Sequence, residues 1–253
     1  MDEVRGYTAL NRTGWNAIAA SRSAQPPEFF VTGGSTLDDC EGAALGDVTG
    51  KRLLHLQCAN GNESMSWARL GAQVVGVDIS EVAVARATTQ AEATGLDAQF
   101  VTADVYDLPG DLGDFDVVYA SAGVVCWLPD LMRWGGIVAG LLRPGGTFLL
   151  YEHHPLWETL AVGTSGVAVT ANYFGRGAPV TSGYAAAKRP VGWTPGTDFV
   201  TFVWPVADVV TALIHAGLRI GLMEEHAVPE MFEGLGAEAS YLPATYLIRA
   251  TKG

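Results

Sequence analysis

The amino-acid sequence predicts an α/β fold built on a doubly wound, mostly parallel β-sheet. Two observations lead to this prediction. Short apolar segments alternate with segments of helical periodicity, and glycine, proline or capping residues separate them. The chain has 253 residues, of which 49% are hydrophobic and 17% charged. That length and composition fit one globular domain with an insertion better than two independent domains.

Short apolar segments predict the strands of the sheet. They are Arg52–Gln57, Gln73–Val77, Ala98–Thr102, Phe115–Ala120 and Thr147–Tyr151, and later Leu218–Glu224 and Thr245–Ala250. Helical spacing predicts helices over Glu63–Leu70, Glu81–Thr94, Leu131–Leu142 and Val206–Ala216. Because strand and helix alternate, we expect parallel strands with helices on both faces of the sheet.

Two further segments are expected to cover the sheet. The first, residues 1–35, contains a predicted helix over Tyr7–Ser23 and is interpreted as an N-terminal helical lid. The second, residues 155–205, is rich in Gly, Thr, Pro and aromatic residues and is interpreted as an inserted cap, since long loops commonly cover functional sites. Residues 36–154 and 206–253 then form the predicted sheet domain.

The chain is acidic, with a formal net charge of −12 and no cluster of basic residues. Because nucleic-acid binding depends on clustered Lys and Arg, we expect no nucleic-acid partner. No apolar stretch approaches the ~20 residues of a membrane span, and the acidic N-terminus lacks the apolar core of an export signal. The sequence predicts a cytoplasmic protein with no membrane partner, and it leaves open whether the chain forms a homo-oligomer.

Cysteine and histidine are too scattered to predict a metal site. Cys40, Cys58 and Cys126 are widely spaced, which argues against a zinc site and against a disulfide framework. The histidines show no metal-binding spacing such as H-E-x-x-H. We therefore expect no metal, and we expect Cys58 to be a packing residue rather than a nucleophile.

The loop Gln57–Asn62, between the first strand and the next helix, holds the first candidate binding residues. At the carboxyl end of a parallel strand, a loop entering a helix offers backbone N–H groups to a ligand. Gly61 permits a positive φ and close approach of a ligand. Asp78 ends the second strand, where a carboxylate can accept both hydroxyls of a ribose. These features predict a ribose-containing ligand.

The same loop argues against a dinucleotide, which requires G-x-G-x-x-G. Residues 58–63 read CANGNE, with a single glycine and with Glu63 where a phosphate would lie. A nucleoside with an amino-acid tail and no phosphate fits better, and S-adenosylmethionine is such a ligand. An NAD-dependent dehydrogenase is the weaker alternative.

Several stretches resemble those of class I S-adenosylmethionine-dependent methyltransferases, in particular a bacterial small-molecule, natural-product branch. They are GWNAIAASR, LLHLQCANGNESMSWARLGAQVVGVDIS, FVTADVYDLP, FDVVYASAGVVCWLPDL, LLRPGGTFLLYEHHP and VADVVTALIHAGLRI. The resemblance implies a Rossmann-like sheet of seven strands and S-adenosyl-L-methionine as cofactor. The sequence departs from the common G-x-G form of the first loop, with Ala59 in place of a glycine.

The resemblance also implies the residues that bind the cofactor. The methionine moiety is expected to contact Gln57, Cys58, Ala59 and Gly61. The ribose and adenine are expected to contact Asp78, Ile79, Asp104 and Val105. The sulfonium pocket is expected to include Ser121 and Ala122. The alternatives are a helix N-cap for Asp78 and an ordinary turn for Asp104.

Two histidines after the fifth strand are the candidate catalytic residues. His153 and His154 are expected at the mouth of the site, where an imidazole with a pKa near ~6.5 suits a general base. His154 is preferred because the His-Pro pair matches the family pattern. Alternatively, both imidazoles satisfy backbone groups of the loop.

Candidate substrate contacts are Trp15, Trp127, Glu152, Tyr173 and Trp204. An aromatic pocket would exclude water and attract a sulfonium. The alternative for the aromatic residues is core packing. Glu152 is expected to orient the imidazole or to receive a substrate amine.

The predicted function is methyl transfer from S-adenosylmethionine to O or N of a small-molecule acceptor, apolar or aromatic, in secondary metabolism. Two alternatives keep the cofactor and change the chemistry. One is cyclisation or cleavage at the sulfonium, and the other is a catalytically silent binding subunit.

Overall fold

The structure is a computed structural model that describes residues 2–22, 24–110, 112–163, 166–180 and 198–253. Its strands are β1 (Arg52–Leu56), β2 (Gln73–Asp78), β3 (Ala98–Thr102), β4 (Phe115–Ala120), β5 (Leu142–His153), β6 (Leu160–Gly163), β7 (Gly166–Val169), β8 (Leu218–His226) and β9 (Thr245–Lys252). Its α-helices are α1 (Asp2–Ala19), α2 (Pro27–Val31), α3 (Asp39–Leu45), α4 (Asn62–Arg69), α5 (Glu81–Thr94), α6 (Leu131–Leu141), α7 (Pro155–Thr159) and α8 (Val206–His215). Short 3-10 helices cover Val125–Trp127, Pro229–Phe232 and Gly236–Tyr241.

Seven strands form one sheet in the order β3-β2-β1-β4-β5-β9-β8. Strands β1 to β5 are parallel to their neighbours, and β9 runs antiparallel to both β5 and β8. The prediction of a doubly wound, mostly parallel, Rossmann-like sheet is confirmed. The carboxyl ends of β1, β2 and β4 consequently meet at one edge of the sheet, with the order reversing between β1 and β4.

The two faces of the sheet are covered by different helices, as the alternation of strand side chains requires. Leu54 packs in a cluster with residues of α6 and α8, including Trp134 and Leu213. Its neighbour Leu53 packs in the opposite cluster, with Trp67 of α4. Each of these side chains is fully buried, which contributes roughly 1.5–3 kcal/mol per large apolar residue.

Strand β5 begins five residues earlier than the sequence predicts. The predicted strand starts at Thr147, whereas Leu142 already pairs with Phe115 of β4. The register shifts between Phe115 and Val117, so the Pro144-Gly145 turn is accommodated as an irregularity inside the strand. A local turn signal therefore does not end the strand, because pairing with β4 resumes beyond it.

Helix α1 lies against residues 199–203 of the predicted cap. The Asn11 side chain donates to Val200 O at 2.9 Å and accepts from Val200 N at 2.9 Å. The predicted cap includes α7, the β6–β7 hairpin and the stretch from Phe199 to Val203, while its residues 164–165 and 181–197 lie outside the described residues. The division into lid, sheet domain and cap stays a prediction.

In the part of the chain that the structure describes, no helix combines the length and the apolar character required to cross a lipid bilayer.

Candidate functional site

A cavity of about 290 Å³ opens at the carboxyl ends of β1, β2 and β4. Helix α1 covers it with Thr8, Asn11 and Trp15. Nine of the ten predicted cofactor residues line it: Gln57, Cys58, Ala59, Asp78, Ile79, Asp104, Val105, Ser121 and Ala122. The edge of the sheet where the strand order reverses therefore carries a cavity large enough for a small ligand.

Gly61, the tenth predicted residue, supports the cavity from outside. It is the N-cap of α4, with φ of 76°, and a Cβ there would lie 2.8 Å from the Phe100 ring. The position requires glycine both for its left-handed conformation and for its contact with Phe100. The structure thus gives Gly61 a backbone role beside the site.

The loop after β1 adopts a left-handed backbone at alternate positions. Gln57 has φ of 57° and Ala59 has φ of 47°, followed by Gly61. Non-glycine residues adopt this conformation at a cost, and strained backbone of this kind concentrates at functional sites. The sequence lacks the glycine of the common motif at position 59, yet the backbone keeps the conformation that such a glycine favours.

Asp78 joins the ends of β1 and β2. Its Oδ2 accepts from Ala59 N at 2.8 Å, and its Oδ1 accepts from Ser80 N at 2.8 Å. Burial raises the pKa of Asp78, and these two N–H donors act in the opposite direction. The N-cap of α5 is Ser80, whose Oγ accepts from Ala83 N at 3.2 Å. The N-cap alternative for Asp78 is therefore wrong, and its carboxylate lines the cavity.

The local-turn alternative for Asp104 agrees with the structure, and its assignment to the adenine stays a prediction. Its Oδ1 accepts from Tyr106 N at 2.9 Å, which closes a local turn. The same residue lines the cavity together with Val105.

Arg22 is a cavity residue that the sequence interpretation missed. It lines the cavity, and its guanidinium carbon lies 5.1 Å from the centroid of the Trp15 ring. Arg86 of α5 holds the chain here, because its guanidinium donates to the carbonyls of Ala19, Ala20 and Arg22. Arg22 lies inside the predicted helix Tyr7–Ser23 but beyond the end of α1 at Ala19, and a lone arginine there forms no pattern that indicates this placement.

The side chain of Gln57 leaves one polar atom for a ligand. Its Nε2 donates to Val124 O at 3.1 Å, while its Oε1 is buried and has no hydrogen-bond partner among the described residues. A buried acceptor without a donor costs about 1–3 kcal/mol. A ligand that brings an ammonium group would satisfy Oε1, and an anionic group on the same ligand would suit Arg22.

Two of the predicted substrate residues form an aromatic wall of the cavity. Trp15 and Trp127 both line the cavity, with ring centroids 5.2 Å apart. Phe199 lies 5.9 Å from Trp15 and 5.2 Å from Trp127. This aromatic wall, made of Trp15, Trp127 and Phe199, joins α1, the loop after β4 and the predicted cap.

The structure does not bring either predicted catalytic histidine to the cavity. His154 is the N-cap of α7: its Nδ1 accepts from Leu156 N at 3.0 Å, and its Nε2 lies 3.0 Å from Glu225 Oε1. His153 packs against Trp157, with ring centroids 4.8 Å apart. Because β5 continues to His153 in register with Thr245 of β9, the chain then turns away from the cavity into α7. The alternative in which His154 satisfies loop backbone agrees with this geometry.

Glu152 also differs from its predicted role in substrate contact. It is 3% exposed and does not line the cavity at the ends of β1, β2 and β4. Both of its oxygens accept from backbone N–H groups, those of Gly123, Val124, Val125 and His153.

The other two predicted substrate residues lie apart from the cavity as well. Trp204 donates from Nε1 to Leu128 O at 2.8 Å and borders a second, much smaller cavity of about 20 Å³. Tyr173 packs against Phe174, with ring centroids 5.0 Å apart, and lines neither of these two cavities. Core packing, the alternative for these aromatic residues, describes Trp204.

Two buried polar residues support the floor of the site. His55 bridges Ser64 Oγ at 2.8 Å and Ser121 Oγ at 2.9 Å, and burial lowers the pKa of His55 to about 3.

Burial raises the pKa of the Cys58 thiol, so Cys58 remains neutral, in agreement with a packing residue. The described ranges contain no cluster of residues that could hold a metal ion.

Glu41 and Tyr119 form a titratable pair in the cavity lining that the sequence analysis does not identify. Glu41, at the start of α3, accepts a short hydrogen bond from the Tyr119 hydroxyl and another from Asp38 N at 2.8 Å. It is 2% exposed, and burial raises the pKa of Glu41 to about 7.

Comparison with known proteins agrees with this geometry. A methyltransferase domain family matches residues 53–146. The ubiquinone biosynthesis O-methyltransferase of Bradyrhizobium sp. (strain ORS 278) is 32% identical over 182 residues, which cover 69% of this chain and 70% of that protein. An uncharacterised methyltransferase of Synechocystis sp. is 33% identical over 121 residues, 45% of this chain and 54% of that protein. The chain thus spans about half the length of that relative, and it spans 38% of three mycobacterial relatives.

A solved structure has the same fold over most of its length. The S-adenosylmethionine-dependent methyltransferase from Mesorhizobium loti is 25% identical and superposes with a TM-score of 0.63. The match covers 83% of this chain and 94% of that chain. By its sequence relatives, its fold and the position of its cavity, the chain belongs to the class I S-adenosylmethionine-dependent methyltransferases.

Proposed function

We propose that the chain transfers a methyl group from S-adenosylmethionine to O or N of a small acceptor. The observation that carries the proposal is the cavity at the ends of β1, β2 and β4, with Gln57, Asp78 and Arg22 in one lining. These three side chains match the three polar parts of the cofactor, namely its ammonium, its ribose hydroxyls and its carboxylate.

Each polar contact in this assignment follows from charge and hydrogen-bonding capacity. Asp78 retains lone pairs beyond those used by Ala59 and Ser80, so it can accept the two ribose hydroxyls. Arg22 supplies a cation that pairs with the carboxylate of the methionine moiety. Gln57 Oε1 accepts from the ammonium. Ile79, Asp104 and Val105 are then left for the adenine.

The cofactor, when bound, supplies an electrophilic methyl group on a sulfonium. The chain's own contribution is alignment and exclusion of water, which dominate a single in-line displacement. Ser121 and Ala122 border the region assigned to the sulfonium, and Trp15 and Trp127 line the same cavity. An apolar or aromatic acceptor would suit Trp15 and Trp127, because their rings offer apolar area and attract a cation.

Glu41, which lines the same cavity, is the proposed group to receive a proton from the acceptor. Its pKa of about 7 matches a general base that works near neutral pH. This assignment replaces the predicted histidine base, because His154 is committed to the N-cap of α7 and to Glu225. A place in bacterial secondary metabolism is proposed from the motif resemblance alone.

The experiment combines binding with analysis of the spent cofactor. The protein is titrated with S-adenosylhomocysteine, then incubated with S-adenosylmethionine and a panel of small phenols and amines, and products are identified by mass spectrometry. We expect binding, S-adenosylhomocysteine formation and one methylated acceptor. Methylthioadenosine as the product would indicate cleavage or cyclisation, and binding without turnover across the panel would favour a silent subunit. Either result would overturn the proposal of methyl transfer.

A further inference from the structure

A buried carboxylate holds the loop that follows β4. Glu152 Oε1 accepts from the N–H groups of Gly123 and His153, the latter at 2.7 Å. Its Oε2 accepts from Val124 N at 2.8 Å and from Val125 N at 2.6 Å. An ionised carboxylate has about four acceptor sites, and here four N–H donors converge on it. Three consecutive peptides of the loop are therefore fixed by one side chain from β5.

Burying the Glu152 carboxylate in the core carries a desolvation cost. Burial raises the pKa of Glu152 to about 7, although four N–H donors favour its ionised form. Replacing the carboxylate by an apolar side chain would leave these four N–H groups without their acceptor, at about 1–3 kcal/mol for each buried group. The carboxylate at this position is thus better explained by what it orients than by packing.

The oriented loop in turn fixes the Gln57 amide. Val124 donates its backbone N–H to Glu152 and accepts with its backbone carbonyl from Gln57 Nε2 at 3.1 Å. A rotated amide would place the oxygen of Gln57 against the carbonyl of Val124, where neither group can donate. The position of Val124 therefore decides whether the amide oxygen or the amide nitrogen of Gln57 remains without a hydrogen-bond partner.

The amide atom of Gln57 that remains without a partner is its oxygen, which is a hydrogen-bond acceptor. Gln57 Oε1 is buried, finds no hydrogen-bond partner among the described residues, and belongs to a residue that lines the cavity. We propose that Glu152 is a positioning residue for the amino-acid end of the cofactor: through Val124 it presents Gln57 Oε1 to the ammonium of S-adenosylmethionine. The inference rests on the proposed function for the identity of the ligand.

The test compares two ligands that differ in the amino-acid tail. S-adenosylhomocysteine carries the ammonium and the carboxylate, whereas 5′-methylthioadenosine has the nucleoside and the sulfur without either charge. Both are titrated calorimetrically against wild type, Glu152→Gln, Gln57→Met and the double variant. The matched control is Glu225→Gln, which removes one negative charge from a half-exposed side chain beside His154.

We expect Glu152→Gln and Gln57→Met each to weaken S-adenosylhomocysteine about tenfold or more, because each removes or misplaces a hydrogen bond to a charged group. The affinity for 5′-methylthioadenosine is expected to stay within twofold. Because both residues act on one contact, the double variant is expected to lose little beyond either single variant. Glu225→Gln is expected to bind both ligands as wild type does.

A local readout is independent of turnover. In Glu152→Gln, hydrogen exchange at the amides of Gly123, Val124 and Val125 is expected to accelerate at least tenfold, with exchange in β1 unchanged. If Glu152→Gln does not fold, Glu152→Asp, which keeps the charge and shortens the reach by one methylene, is tested in its place.

Three results would overturn the inference. They are equal weakening of both ligands, additive losses in the double variant, and unchanged exchange at the three loop amides. Wild-type protein that binds neither ligand would instead overturn the proposed function, and the inference with it.

Discussion

The backbone N–H of Ala59 donates to the carboxylate of Asp78 at 2.8 Å, across the ends of β1 and β2. One oxygen of Asp78 thus holds the loop in which Ala59 is left-handed, and the other accepts from Ser80 N at 2.8 Å. The residue assigned to the ribose is therefore also the residue that positions the first loop. Loss of the Asp78 charge should therefore weaken ribose binding and also release the first loop.

Replacement Asp78→Asn tests this double role. One oxygen becomes an NH₂ group that must face either Ala59 N–H or Ser80 N–H, and the site loses an acceptor for the ribose. Because hydrogen bonds to charged groups contribute about 1.5–3 kcal/mol, we expect S-adenosylhomocysteine to bind roughly tenfold to hundredfold more weakly. Calorimetric titration measures this change, with the exposed Asp107→Asn as the control. An affinity within twofold of wild type would contradict the assignment.

Replacement Ala59→Gly tests the strain in the same loop. A left-handed conformation costs a non-glycine residue about 1–2 kcal/mol, and glycine recovers part of this after its larger entropic cost. We expect the melting temperature to rise by about 1–4 °C. Thermal unfolding measures the shift. The control Ala85→Gly, on the exposed face of α5, is expected to lower it, since glycine weakens a helix interior by about 1 kcal/mol. Equal destabilisation by both replacements would rule out strain at Ala59.

Replacement Asn11→Ala tests the contact between α1 and the described end of the cap. It leaves both the N–H and the carbonyl of Val200 without their side-chain partner. Since unsatisfied buried groups cost about 1–3 kcal/mol, we expect the free energy of unfolding to fall by that amount. Urea denaturation measures the loss, and hydrogen exchange at Val200 should accelerate. Thr13→Ala, an exposed change on the same helix, should leave both measurements unchanged. If Asn11→Ala behaves in the same way, the contact contributes nothing.

Replacement Glu41→Gln tests the pH dependence that burial imposes. The pKa of Glu41 is raised to about 7 from an ordinary value of 4.5, so the folded state binds a proton that the unfolded state has already lost. The contribution of Glu41 is most favourable below pH 4.5, and it is lost as pH rises to 7. At about 1.4 kcal/mol per pKa unit, the total change is roughly 3 kcal/mol.

The measurement is urea denaturation of Glu41→Gln and wild type at several values between pH 4.5 and 8. We expect the variant to gain stability relative to wild type as pH rises, with the difference levelling above pH 7. Parallel curves for the two proteins would show that Glu41 does not titrate in this range.

The sequence by itself determined the fold and the location of the site, because both depend on local patterns. Apolar alternation and helical spacing are properties of a few neighbouring residues, so the strands and helices were predicted nearly in place. Parallel strands end at a common edge, and the sequence therefore predicts that the loop at Gln57–Asn62 and the acid at Asp78 lie together. Nine of the ten predicted cofactor residues line one cavity for this reason.

Only the tertiary structure decided where individual side chains at the site point, because that depends on partners distant in sequence. His153 pairs with Thr245 of β9, so the chain turns away from the cavity and places His154 on the N-cap of α7. Glu152 finds its donors near residue 124, and Arg22 is held by Arg86. Such long-range hydrogen bonds leave no periodic pattern in the sequence. The contacts of Glu152 with the loop after β4, the burial of Glu41 and the position of Arg22 in the cavity are therefore visible only in the folded chain.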